Sequence, residues 1–151
     1  RLGVALIKEI AGKPTLLFSD CTTPDKKLVQ EIRLKIIGET VAGLLTEWKP
    51  TALAIEELFF SKNQKTALLV SQALGVIIYE ASRANVDVFY YKPIQIKVAV
   101  TGYGKSDKSQ VTNMVERLIK MPAKKRLDDE YDAIAVGLTH LACRHHGGAG
   151  R

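Results

Sequence analysis

The alternation of apolar and polar residues divides the chain into a hairpin followed by alternating helices and strands. Two apolar runs at 2–7 and 15–19 flank a turn containing Gly12 and Pro14, which predicts an antiparallel strand pair. Apolar residues then recur at helical spacing over 25–48, with Thr23 or Asp25 placed as the N-cap. Later strands are predicted at 52–58 and 86–91, and later helices at 65–85, 94–101, 107–121 and 129–145. This order predicts an α/β fold in which helices flank a mixed sheet.

Length and composition limit the class of protein. The chain has 151 residues, 46% of them hydrophobic, which is enough for one packed domain and too little for two ordinary ones. We therefore expect one domain over 1–145 and a C-terminal tail over 146–151. Because no apolar stretch is long enough to span a bilayer and no signal-peptide pattern opens the chain, we expect a cytoplasmic protein with no membrane partner.

The charge balance favours a polyanionic partner. The chain carries 22 Lys and Arg against 16 Asp and Glu, a formal net charge of +6. Nucleic acid is the commonest partner for a compact basic domain, although moderately basic proteins without such a partner are also common. A basic protein that gathers its acids at a few positions is typical of enzymes that cut phosphodiesters.

Glu56 is an unexpected charge at the end of the apolar run 52–55. Such a run predicts a buried strand, so a carboxylate at its tip requires water, a cation or a polar partner. Asp129 and Asp132 begin a late helix and, being three residues apart, project from one face. Acids are also favoured in a first helical turn without any ligand, so this pair has an ordinary alternative explanation.

Together these three acids could hold a hard divalent cation. Mg²⁺ prefers carboxylate oxygens and keeps several waters, and Mn²⁺ is a possible substitute. Two such ions about 4 Å apart can activate the attacking water and stabilise the leaving oxygen of a phosphodiester. The sequence therefore predicts a catalytic metal site formed by Glu56, Asp129 and Asp132.

Basic and aromatic residues near these acids suit a nucleic-acid surface. The loop 102–106 leads into a helix N-terminus, where Lys97, Lys105 and Lys108 could meet a phosphate. A solvated basic turn explains the same residues equally well. Two adjacent aromatics cannot both face inward from a regular strand, so Phe59 is the candidate for stacking on bases.

Ordered motifs over residues 1–142 resemble the RuvC family of bacterial Holliday-junction resolvases. The resemblance is carried by Ala54-Ile55-Glu56-Glu57-Leu58-Phe59, Lys62-Asn63, Gln72-Ala73-Leu74-Gly75-Val76, Pro93-Ile94-Gln95-Ile96-Lys97, the run from Gly102 to Val111, Asp129-Glu130-Tyr131-Asp132-Ala133-Ile134-Ala135 and Thr139-His140. It implies an RNase H-like fold with a mixed five-stranded sheet. It also implies a homodimer that nicks two opposed strands of a four-way DNA junction symmetrically with Mg²⁺.

Residue roles follow from the same resemblance. Glu56, Asp129 and Asp132 fall on the catalytic metal ligands of the family, and Phe59 on an aromatic that contacts bases. Lys97 and Lys108 fall on basic residues at the DNA backbone. The implied partner beyond DNA is the RuvA-RuvB branch-migration complex.

One departure from the family concerns its first strand. In the family this strand ends in a Gly-Ile-Asp-Pro-Gly motif whose aspartate is a further metal ligand, and the run 2–6 is similar to the strand that follows it. If the molecule begins at Arg1, we expect a folding defect at the sheet centre and loss of cleavage, with junction binding at most. Two alternatives stay open: a junction-binding protein of this fold without cleavage, and a related nuclease with another nucleic-acid substrate.

Overall fold

The computed structural model describes residues 1–57 and 64–145, which form four strands and five helices. The strands are β1 (Leu2–Ile10), β2 (Lys13–Thr22), β3 (Ala52–Glu56) and β4 (Asp87–Tyr91). The helices are α1 (Gln30–Trp48), α2 (Gln64–Arg83), α3 (Pro93–Thr101), α4 (Lys108–Leu118) and α5 (Asp128–His145). Strands and helices follow one another in the predicted order, which confirms the α/β class.

The predicted hairpin is present and is longer than the two apolar runs. β1 and β2 pair antiparallel from Leu2 opposite Thr22 to Ile10 opposite Lys13, with a register shift between Leu6 and Ile7. The two-residue turn requires positive φ at both central positions, which Ala11 takes at 50° and Gly12 at 72°. The strands therefore extend beyond their apolar runs, because backbone pairing continues through polar residues.

The acid-tipped strand pairs with the strand that follows α2. β3 and β4 run parallel, from Ala52 opposite Asp87 to Glu56 opposite Tyr91. Parallel neighbours need a crossover, and α2 provides it. The apolar run 52–55 forms one strand of this pair, and Glu56 is its last residue.

Among the described residues the strands form two separate pairs rather than one continuous sheet. The β1-β2 ladder and the β3-β4 ladder share no strand, and α5 packs against all four strands. The core lies mainly beneath α5, where Ile134 and Thr139 are fully buried. The mixed sheet of the predicted fold is therefore interrupted between β1 and β3, at the position where a central strand is expected.

Two helix boundaries differ from the sequence prediction by three residues or more, and the others agree within two. Helix α1 begins at Gln30, not at residue 25, and its N-cap residue Val29 makes no side-chain cap. Asp25 instead accepts a hydrogen bond from the N–H of Lys27 at 2.9 Å, which forms a local turn. Helix α4 ends at Leu118, not at 121, because Lys120 extends alongside β2 and its N–H donates to the carbonyl of Pro14.

Within residues 1–57 and 64–145, every helix is too short or too polar to cross a membrane.

Candidate metal and nucleic-acid site

Glu56 lies where β3 leaves the sheet. Its backbone pairs with Tyr91 of β4, and the next N–H, that of Glu57, donates to the Tyr91 carbonyl at 2.8 Å. The ladder therefore fixes the backbone up to Glu56, while the side chain keeps access to solvent. A short apolar strand thus holds a carboxylate at the edge of the sheet.

Asp129 lies in the first turn of α5, against the start of β1. Gly3 approaches so closely that a methyl group there would collide with the backbone carbonyl of Asp129. Asp129 Oδ2 is buried and accepts no hydrogen bond from any described residue. The guanidinium of Arg1 lies 3.0 Å away, in ion-pair distance but without hydrogen-bond geometry. A buried carboxylate oxygen with no hydrogen-bond donor is suited to a metal ion.

The pKa of Glu56 depends on the charge of Asp132, which lies one turn after Asp129 in α5. Burial raises the pKa of the Glu56 carboxyl, the charge of Asp132 raises it further, and the charge of Lys97 lowers it. Glu56 and Asp132 also line the same cleft as Asp129, so the structure brings the three predicted metal ligands around a common space.

Lys108, at the start of α4, lies beside the same acids. Its Nζ is 3.2 Å from Asp128 Oδ2 and 3.5 Å from Asp132 Oδ2. Partial burial lowers the pKa of Lys108, but the two carboxylates outweigh burial and the net direction is upward. An ammonium group therefore neutralises the acid cluster from the α4 side.

Lys105 lies on a short ordered loop, away from the acid cluster. The Ser106 hydroxyl is buried and donates to the Tyr103 carbonyl at 2.8 Å, and it also lies 2.7 Å from the Thr101 hydroxyl. Gly102 takes the positive φ of 76° that begins the loop. Lys105 itself is exposed and has no described contact with Glu56, Asp129 or Asp132. Phe59 lies outside the described residues.

The acids do not form a closed cage. Among the described residues no group of three or more His, Cys, Asp or Glu side chains is gathered tightly enough to hold an ion. Arg1 and Lys108 pair with Asp129 and Asp132 instead. The three carboxylates still fit Mg²⁺, because their ligand atoms are all oxygens. The buried Asp129 Oδ2 also accepts no hydrogen bond from a described residue. The site is an open, oxygen-only cluster whose negative charge is balanced by the side-chain cations of Arg1 and Lys108.

A cleft of about 770 Å³ ends at these acids. Its sides are β1 and β3, and α1 and α5 cover its two faces. Trp48 of α1 lines it, and the Trp48 indole N–H is buried without a described acceptor. Because the start of β1 and the end of β3 both lie at the acid cluster, the two strands are antiparallel across the cleft. A strand between them would pair parallel with one and antiparallel with the other.

Sequence reasoning missed a cluster of polar side chains around Glu130. It lies on the side of the first turn of α5 that faces away from Asp129. Glu130 is 3% exposed and accepts from the Ser19 hydroxyl at 2.7 Å and from Lys124 Nζ at 2.9 Å. It also accepts from the N–H of Leu127 at 3.1 Å, three residues earlier. Burial raises the pKa of Glu130, but these bonds outweigh it and hold the pKa below its usual value. An acid three residues after the N-cap position can accept a hydrogen bond from the N-cap N–H. This capping pattern was the sequence signal that could have indicated the role of Glu130.

We predict that the acid cluster is visible in the titration of Glu56. In metal-free protein the Glu56 pKa should lie above its usual value of 4.5, fall in Asp132→Asn and rise in Lys97→Met. Metal binding requires the carboxylate, so acidification should weaken it at a higher pH than for an ordinary glutamate. Side-chain carboxyl NMR measures the titration. An unchanged Glu56 pKa in Asp132→Asn would show that the two acids are not neighbours.

Comparison with known proteins supports one family over nearly the whole described chain. The family model described as crossover junction endodeoxyribonuclease RuvC matches residues 1–140. Crossover junction endodeoxyribonuclease RuvC of Roseiflexus sp. (strain RS-1) is 40% identical over 140 residues, covering 93% of this chain and 83% of that relative. The protein of the same name from Alkaliphilus oremlandii is 44% identical over 140 residues, covering 92% and 85%.

Solved structures support the same assignment. The structure described as T. thermophilus RuvC in complex with Holliday junction substrate superposes with a TM-score of 0.90 at 30% identity. It covers 97% of this chain and 90% of that chain. The Thermus thermophilus RuvC structure gives a TM-score of 0.85 at 31% identity. The predicted RNase H-like fold is confirmed, and the chain belongs to the RuvC family of crossover junction endodeoxyribonucleases.

Proposed function

We propose that this protein is an endonuclease that resolves four-way DNA junctions in recombination and repair by symmetric nicking of two opposed strands. The observation that carries the proposal is that Glu56, Asp129 and Asp132, from a strand tip and a helix start, line one cleft, with Lys108 paired to Asp132 at its rim. Carboxylates beside lysines suit a phosphodiester, since the acids bind cations and the lysines bind phosphate. Family membership agrees with this chemistry.

Nucleases of this family are metal-dependent. We propose Mg²⁺ as the ion, two per site, with Mn²⁺ as a substitute, held by Glu56, Asp129 and Asp132. The bound ions would supply an activated water and stabilise the leaving oxygen. The buried oxygen of Asp129 supports this assignment, because among the described residues its partner is the Arg1 guanidinium, an ion-pair partner that a metal ion could replace.

Lys108 would have two alternative partners, one in the absence of metal and one in its presence. Without metal its ammonium balances Asp128 and Asp132. A divalent cation at Asp132 would remove that attraction, and the freed ammonium could then bind a phosphate of the scissile strand. Lys97, Lys105 and the aromatic Phe59 complete the proposed DNA surface.

Assembly and location are also part of the proposal. Cutting two opposed strands requires two active sites, and a homodimer with two-fold symmetry supplies them. Helix α2 exposes Leu68 and Tyr79, each 61% accessible, as an apolar surface for a second copy. We further propose one nuclease domain over 1–145 with a tail over 146–151, a cytoplasmic location in bacteria, and the RuvA-RuvB branch-migration complex as partner.

A junction-cleavage assay tests the function. A mobile four-way junction and a linear duplex of the same sequence are incubated with the protein, with and without Mg²⁺. The protein is assayed as the present chain and with a segment ending in Gly-Ile-Asp-Pro-Gly ahead of Arg1, which can occupy the cleft between β1 and β3. We expect paired nicks on the junction only, with Mg²⁺ only, and only when the cleft is occupied.

The other outcomes select the alternatives. Tight junction binding without nicks in the strand-completed protein would favour a junction-binding protein. Comparable cutting of the linear duplex would favour a nuclease of broader substrate range. A catalysis-deficient variant such as Asp132→Asn should keep junction binding in either case, because phosphate contacts come from the lysines.

A further inference from the structure

The buried Glu130 lies between two proposed metal ligands in sequence but points away from them. Consecutive helical residues are rotated by about 100°, so Glu130 faces β2 while Asp129 faces Gly3 of β1. Its carboxylate is almost fully buried and accepts three hydrogen bonds. The first turn of α5 is thus held on one side by Glu130 and on the other by the close approach of Gly3.

The partners of Glu130 are themselves fastened to one another. Lys124 Nζ donates to the Ser19 carbonyl at 2.9 Å as well as to Glu130. Arg126 Nε donates to the Ser19 hydroxyl at 3.1 Å, and Arg126 Nη2 donates to the Pro122 carbonyl at 3.0 Å. The segment before α5 is therefore bound to β2 through Ser19. This cluster, made of Ser19, Lys124, Arg126 and Glu130, is called the β2 anchor below.

The β2 anchor is suited to fixing the rotation of α5 about its own axis. A rotation of the first turn would break the bonds of Glu130 to Ser19 and Lys124, leaving a buried charge unpaired. The same rotation would move the Asp129 and Asp132 carboxylates relative to Glu56, which is fixed on a different element. An open cluster of acids needs such an external support, since its own members repel one another.

We propose that Glu130 is a positioning residue which, through Ser19 and Lys124, holds Asp129 and Asp132 in the arrangement that binds a divalent cation. This inference rests on the proposed metal site but not on junction cleavage. Glu130 does not contact the ion. Its contribution is to keep the two ligands from turning away, as hydrogen-bonded partners of metal ligands do in other sites.

The test measures Mn²⁺ affinity by electron paramagnetic resonance, together with thermal unfolding, for three variants of the anchor. Glu130→Gln keeps the size and loses the charge, Ser19→Ala removes one donor, and Lys124→Met removes the cation. Matched controls are Glu80→Gln, a carboxylate paired with Arg83 on α2, and Lys125→Met, the exposed neighbour of Lys124. We expect about 10- to 100-fold weaker Mn²⁺ binding in the anchor variants and less than a twofold change in the controls.

Two further readouts separate positioning from general stability. Amide hydrogen exchange in metal-free protein should accelerate in the first turn of α5 and stay unchanged in β3 and β4 for Ser19→Ala. High Mn²⁺ should restore the wild-type coordination spectrum, because the ligands themselves are intact. If Glu130→Gln fails to fold, Ser19→Ala and Lys124→Met decide the question.

Three results would overturn the proposal: anchor variants that fold and bind Mn²⁺ within twofold of wild type, weakened binding with exchange accelerated throughout the protein, or a coordination spectrum that high Mn²⁺ does not restore. Failure of the proposed function is distinguishable, since the protein with the added segment ahead of Arg1 would then bind Mn²⁺ at the acids, in an anchor-dependent way, without cutting junctions.

Discussion

A strand added between β1 and β3 should raise the melting temperature by about 10 °C and permit junction cleavage. The cleft of about 770 Å³ separates two strand edges and is covered by α1 and α5, so an added strand would pair on both sides and bury its side chains. Apolar burial and backbone pairing on both sides favour the added strand, while the entropy lost on ordering the segment opposes it. A net gain of about 3 kcal/mol corresponds to roughly 10 °C for a chain of this length.

The experiment uses a segment ending in Gly-Ile-Asp-Pro-Gly ahead of Arg1 and a matched segment with asparagine in place of its aspartate. Both should raise the melting temperature in calorimetry, because both supply the strand. Only the first should cleave junctions, because its aspartate would arrive at the mouth occupied by Glu56 and Asp129. Equal cleavage by the two proteins would remove the aspartate from the ligand set, and an unchanged melting temperature would show that the cleft does not accept a strand.

Replacing Asp132 by asparagine in the strand-completed protein should reduce cleavage about 10³-fold or more while leaving junction binding nearly unchanged. Removing one donor that stabilises a charged transition state already costs about 10²–10³ in rate, and a lost metal ligand affects both ion binding and water activation. Binding persists because phosphate contacts come from Lys97, Lys105 and Lys108. Single-turnover cleavage and mobility-shift assays at one salt concentration measure the two quantities.

The matched control is Asp128→Asn, one turn before Asp132. Asp128 is exposed and also pairs with Lys108, but it is not a proposed ligand. Its substitution should leave cleavage within a few-fold of wild type. If Asp128→Asn lost activity as completely as Asp132→Asn, the effect would belong to the position of Lys108 rather than to metal ligation.

Some features of this fold and site could be predicted from local sequence, and others could not. Glu56 was located from sequence because a short apolar run with a charge at its end has few structural explanations, and β3 ends there. The start of α1 was misplaced because Asp25 can cap a helix or close its own turn, and the two patterns look alike in sequence. Long-range contacts decide such cases.

The supports of the site were harder to predict than its ligands. Glu130 is an acid in a first helical turn, which is an ordinary preference, and nothing in the sequence indicates its bond to Ser19, 111 positions away. The pairing of Lys108 with Asp132 likewise joins α4 to α5. The sequence indicates which groups could act, whereas their partners depend on tertiary packing.

The most direct test of the central claim is the anomalous diffraction of Mn²⁺ in crystals of the protein grown with junction DNA. We expect a peak about 2.1 Å from carboxylate oxygens of Glu56, Asp129 and Asp132, with the Lys108 ammonium displaced from Asp132. A contrary result would be no peak at these carboxylates under saturating Mn²⁺, with Lys108 still 3.5 Å from Asp132 Oδ2.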